Sequence, residues 1–204
     1  MKKITVFGVI QDGIGIGLKN ALSLLGAVIL WMLTFWIPYI NVGTTIAMAS
    51  IPIELSRGKI ISPTFIFDGK YRKFMGEYFT LIGLMSIAIF PAMVFMFVPG
   101  IIIAISWSLS IFLLIDKGIS PTQAMLQSNN ATYGYKWTIF GIYFVLALAV
   151  GIAGAIFRLI PGLGILLAIV LYLAFIVIQL GCSAVIYRDL TKEDVEVVVN
   201  ETVE

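Results

Sequence analysis

Residues 59–67, KIISPTFIF, and residues 117–125, KGISPTQAM, carry the same Ile-Ser-Pro-Thr phrase in a chain that is otherwise close to continuous hydrocarbon. The phrase is a helix start signal. Ser62 and Ser120 are suited to cap a first turn, and Pro63 and Pro121 fill the first helical position, where a missing N–H costs nothing. Gln123, three residues after Ser120, has the spacing of a capping box.

Extended forward, the two phrases keep step. Gly83 stands 22 positions after Ile61 and Gly141 stands 22 after Ile119, closing the windows Thr80-Leu-Ile-Gly83 and Thr138-Ile-Phe-Gly141. Near the amino terminus Gly26 stands 22 positions after Ile4 and closes Ser23-Leu-Leu-Gly26, with Thr5-Val6 in place of Ser-Pro. The spacing predicts an internal triplication over about residues 4–57, 58–116 and 117–189, with a polar tail over 190–204. Each unit is expected to contain an elbow, a helix, a tight turn and a second helix.

Composition sets the solvent. Of 204 residues, 60% are hydrophobic and 12% charged, and mean hydropathy is +1.06, so there is too little polar surface to cover a water-soluble globule. Six apolar segments stand out, at about 21–37, 40–55, 78–98, 101–115, 137–160 and 163–187. In hydrocarbon each is expected to be helical, because only a helix satisfies its own backbone. They pair through short proline-bearing turns around Pro38, Pro99 and Pro161. The fold expected is an all-α membrane protein of six transmembrane helices, arranged as three tandem hairpins, each preceded by a cytoplasmic amphipathic elbow helix. Asp12 and Lys19 interrupt the apolar run near the amino terminus, so that segment is expected to be retained rather than cleaved.

Of the 13 lysines and arginines, Arg158 alone falls at a hairpin turn; the others precede, separate or follow the hairpins. The asymmetry predicts cytoplasmic termini and elbows. The second elbow places Phe65, Phe67 and Phe74 among Lys70, Arg72 and Lys73, a mixture suited to the headgroup layer, with rings dipping inward and cations on lipid phosphate. The third elbow, richer in Gln127, Asn129, Asn130 and Thr132, could instead lie against protein. The expected contacts are therefore anionic lipid headgroups, with a membrane protein partner or a second copy of the chain as a further contact, and no nucleic acid.

Chemistry-bearing residues are sparse. Histidine is absent, which removes the commonest general base and metal ligand. Cys182 is alone and reads as a small packing residue. No phosphate loop, paired-carboxylate site, metal-ligand cluster or activated nucleophile is present in the sequence, and neither cofactor nor metal is expected. Glu54, three residues before Arg57, reads as half of an ion pair at a helix end. Asp116 and Asp189 read as boundary residues. Ser106 and Ser110 share a helical face and could form a polar seam with Gln179, while Ala147, Gly151 and Ala155 form a small-residue stripe suited to close helix contact.

Residues 116–143, DKGISPTQAMLQSNNATYGYKWTIFGIY, followed by AVIYRDLT at 184–191, resemble the membrane domain attached to bacterial glycerophosphodiester phosphodiesterases and related six-helix membrane families. The resemblance covers roughly Ile101 to Thr191. It implies a prokaryotic inner-membrane protein and carries no catalytic residue across, because the hydrolase chemistry of those fusions lies in a separate soluble domain. The expected function is non-enzymatic: a scaffold, accessory subunit or lipid-organising module. The alternative is a transporter or channel-like subunit for an uncharged or lipidic solute.

Overall fold

The computed structural model describes residues 4–160 and 162–191, and the tail expected beyond Thr191 lies outside them. Every regular element among these residues is helical: α1 (Val6–Lys19), α2 (Ala21–Thr34), α3 (Ile40–Ser56), 3-10 turns at Pro63–Phe67 and Gly69–Phe74, α4 (Met75–Phe95), α5 (Phe97–Ser106), α6 (Ser110–Lys117), α7 (Pro121–Thr132), α8 (Lys136–Arg158) and α9 (Gly164–Thr191).

Four segments are long and apolar enough to cross a membrane: Gly69–Phe95, Phe97–Lys117, Lys136–Arg158 and Gly164–Thr191. α1 and α2, bent by 75° where they meet, would make a fifth. Large apolar side chains such as Leu22, Ile87, Phe95 and Ile165 are exposed on these helices, as a surface bathed in lipid requires. The apolar segment expected at 101–115 is longer than it reads, because its helix already begins at Phe97. α3, by contrast, is 17 residues long and α2 is 14, so at roughly 1.5 Å per residue the first hairpin is about 21–26 Å tall.

Local chemistry explains the breaks. The first reversal puts Tyr39 at φ 72°, and the Asn41 amide donates to the Phe35 carbonyl at 2.8 Å to close it. Inside the hairpin the Trp31 indole N–H donates to Thr45 at 3.0 Å, which satisfies a donor that lipid would leave unpaired. α3 and α6 stop at Gly58 and Gly118, both left-handed at φ 71° and 63°, where a side chain would be strained. Ser120 forms the full capping box with Gln123. Ser62 holds the same position without a capping bond, and the segment after it winds into 3-10 turns rather than an α-helix.

The elbows dock in a regular order. The turn at Pro63–Phe67 lies against α2 and α3, α7 lies against α4, α5 and α6, and α1 lies against α8 and α9. Each elbow thus rests on the hairpin that precedes it, and the first rests on the last. The window-closing glycines are where this happens. A Cβ on Gly26 would stand 2.9 Å from Pro63, and one on Gly141 would stand 3.1 Å from Val6. Pro63 and Val6 hold equivalent places in their windows, whereas Gly83 has open space around it.

Candidate functional site

The last turns of α3, α6 and α9 meet at one end of the molecule, and their charges form a junction. Glu54 pairs with Arg57 at 3.6 Å and with Lys59 at 2.7 Å. Arg57 also pairs with Asp116 of α6, whose other carboxylate oxygen accepts the Tyr187 hydroxyl of α9 at 2.6 Å. The Glu54 and Asp116 side chains are only 14% and 17% exposed, so each carboxylate sits next to a cation or a donor rather than in open water. Arg188 bonds Asp189 at 2.7 Å and reaches Asp12 of α1 at 3.6 Å. The sequence placed Glu54 with Arg57, and read Asp116 and Asp189 as helix ends. It did not join them to Tyr187 across the bundle, since the link spans residues 57, 116 and 187.

The serine segment is a helix break. α5 ends at Ser106 and α6 restarts at Ser110, which frees backbone groups that have no water to turn to. α7 supplies their partners. The Ser128 hydroxyl donates to the Ser106 carbonyl at 2.7 Å and accepts the Leu109 N–H at 3.1 Å, and Thr132 donates to the same carbonyl at 3.3 Å. Ser128 and Thr132 are fully buried, so the third elbow lies against protein and fills the break. The expected seam through Ser106, Ser110 and Gln179 does not form. The Ser106 hydroxyl donates back to the Ile102 carbonyl at 2.7 Å, the Ser110 hydroxyl is buried without a partner among the described residues, and Gln179 on α9 makes no bond to either. Neighbouring hydroxyls on one helix fall back on their own carbonyls when no other acceptor faces them.

The second elbow corrects the expected headgroup layout. Phe65 and Phe74 are packed against the core and Tyr71 is fully buried with them, leaving Phe67 exposed. Lys70 is already engaged, 3.1 Å from Asp68 and 4.8 Å over the Tyr71 ring. Asp68 caps its own turn by accepting the Lys70 N–H at 3.0 Å, and this backbone bond holds its carboxyl below the usual carboxylate range. Arg72 runs along α3, with its Cγ 3.0 Å from where a Gly43 Cβ would stand and its guanidinium 5.6 Å over the Tyr39 ring. Because the Ile61 N–H is held at the other end of the hairpin by Asn20, at 3.3 Å, the elbow spans most of the hairpin's height. Of its three cations, only Lys73 is exposed and without a partner among the described residues.

Two features escaped the sequence reading. Asn20 is 5% exposed and ties three elements, donating to the Ile16 carbonyl at 3.1 Å while accepting from Ile61. Its signal was a lone amide at the start of an apolar run. The second is the pair Gly13 and Gly17, four residues apart on α1, a spacing that lets helices approach closely. A Cβ on Gly13 would stand 2.6 Å from the Cys182 sulfur, and one on Gly181 would stand 2.1 Å from the Gly13 carbonyl oxygen. The small-residue stripe of Ala147, Gly151 and Ala155 that was expected to make close contact leaves open space beside Gly151. Compared with models of known protein families, with curated proteins and with solved structures, the chain matches none.

Proposed function

We propose that this chain is a non-enzymatic integral membrane protein, a scaffold or lipid-organising module of a prokaryotic inner membrane. In this reading it is built from three tandem hairpins that cross six times, with both termini on the cytoplasmic side and the second elbow running up the side of the first hairpin. The observation that carries the proposal is the docking order of the elbows. Each is committed to the preceding hairpin, and the first returns to the last, an arrangement that holds a ring of hairpins together. The ion junction at the ends of α3, α6 and α9 supports the same reading: its charges pair among themselves and face one another, as in a clamp. The break between α5 and α6 is of the kind in which transporters coordinate solutes. Its freed Ser106 carbonyl and Leu109 N–H are taken by α7, which supports the scaffold over the solute pathway. The resemblance to membrane domains fused to phosphodiesterases agrees with a role beside other proteins or lipids.

The first hairpin, about 21–26 Å tall, is shorter than a hydrocarbon core of roughly 30 Å, and a crossing there draws the bilayer thin. The fourth apolar segment calls for no such thinning, since Phe97–Lys117 runs 21 residues. Single cysteines introduced at Asn41 and Gly162, in a Cys182→Ala background, test the topology. Labelling of both from the outside of intact cells is expected, and labelling of either only after permeabilisation overturns it.

A further inference from the structure

Two grooves run along α9. The larger, about 840 Å³, lies between α2 and α9 and is walled by Ile29, Met32, Ile169 and Leu173. The smaller, about 340 Å³, lies between α8 and α9 over Gly151, Gly154 and Ala155, where the small-residue stripe leaves room instead of filling it. Both grooves are bordered by the same three residues, Arg158, Ala168 and Tyr172. Arg158 is exposed and has no ion-pair or hydrogen-bond partner among the described residues. It is also the one basic residue that the sequence assigns to the turn side of the hairpins.

We infer that this is a binding site for one diacyl anionic phospholipid, with its phosphate on Arg158 and one acyl chain in each groove. A guanidinium presents a planar fork of donors that suits phosphate, and it stays charged at any physiological pH. Two channels diverging from one cation match the shape of a two-chained anion, and apart from Arg158 and Tyr172 the side chains that line them are apolar. Ala168 and Tyr172 form the shared wall from which the chains part. The inference rests on the membrane-embedded reading but not on the elbows, which lie at other positions and carry their own cations.

Native mass spectrometry of the full-length protein in mild detergent, titrated with dioleoylphosphatidylglycerol or dioleoylphosphatidylcholine, tests it. One phosphatidylglycerol should be retained in preference to phosphatidylcholine. Arg158→Gln should cut that preference about fivefold, the worth of one basic residue near an anionic lipid, and Arg158→Lys should restore most of it. Gly154→Leu and Ala168→Leu, which fill the grooves, should lower retention of both lipids. Protection of the buried Cys182 thiol verifies that each variant is folded. Unchanged preference in Arg158→Gln overturns the site. So does unchanged retention in both groove-filling variants, which would leave Arg158 a surface cation only, and so does a co-purifying protein lost with Arg158 in place of a lipid. Failure here leaves the proposed function standing, because Lys73→Glu tests the elbow independently.

Discussion

Ser128 holds two backbone groups at once, the Ser106 carbonyl and the Leu109 N–H, and no water is at hand to replace it. Ser128→Ala therefore orphans a donor and weakens an acceptor in the interior, at about 1–3 kcal/mol for each group left unmade. Ser106→Ala, which removes only a bond to its own helix, should cost less than about 0.5 kcal/mol. Thermal unfolding in detergent, followed by helix signal, should show a clear drop for the first and almost none for the second; equal shifts would mean the break is not held by α7. The sequence displayed these hydroxyls but not their pairing. A serine in an apolar run announces a need for a partner, and the 19 positions between Leu109 and Ser128 are bridged only once α7 folds back. Ser120 was legible because its partner, Gln123, is three residues away. Glu54 and Arg57 were legible for the same reason, whereas the bond from Arg57 to Asp116 was not.

Among the elements, the second elbow separates composition from placement. Its mix of aromatic and basic residues reads as a segment lying on lipid, yet Phe65, Tyr71 and Phe74 turn toward the first hairpin and Lys70 is matched to Asp68. Period and composition say which side chains are apolar; whether lipid or a neighbouring helix takes them depends on what stands beside the element. Lys73→Glu, which reverses a charge, should therefore reduce the preference for anionic over zwitterionic vesicles by more than about fivefold, while Lys70→Glu should act chiefly on local stability. A flotation assay with phosphatidylglycerol and phosphatidylcholine vesicles distinguishes them; equal losses would restore the flat-lying elbow. Asp68 adds a pH dependence. Its carboxyl is held below its ordinary range, so its contribution is present at pH above the unfolded value and fades as pH falls through the folded one. Thermal unfolding in detergent should find Asp68→Asn less stable than the parent at neutral pH, with the gap closing as pH falls below the ordinary carboxylate range; a gap independent of pH would mean that the Asp68 charge contributes nothing.

At the scale of the whole molecule, apolar lengths made legible an all-helical chain with helices long enough to cross a membrane. The repeated phrase located the elbows but not the hairpin each one joins, since spacing along the chain is silent about which unit receives which. The closing contact can be read through a native probe. Cys182 is the chain's one cysteine, fully buried beneath Gly13. Gly13→Leu cannot be accommodated at 2.6 Å, so α1 must lift, and maleimide should label Cys182 at least tenfold faster than in the parent. Gly15→Leu, facing open space, is expected to leave the thiol protected. Fast labelling in both would show that α1 does not close the ring.

The docking of α1 on α9 also fixes an order of events during synthesis. The glycine step that receives Gly13 lies at Gly181, so the first helix to leave the ribosome must wait for the last before it can bury its apolar face. At about 5–20 residues per second that delay is on the order of ten to thirty seconds. Through that interval Val9, Gly13 and Gly17 are open to the insertion machinery, to chaperones and to proteases. A nascent chain stalled before α9 should display an accessible amino-terminal helix, and release of the finished chain should conceal it.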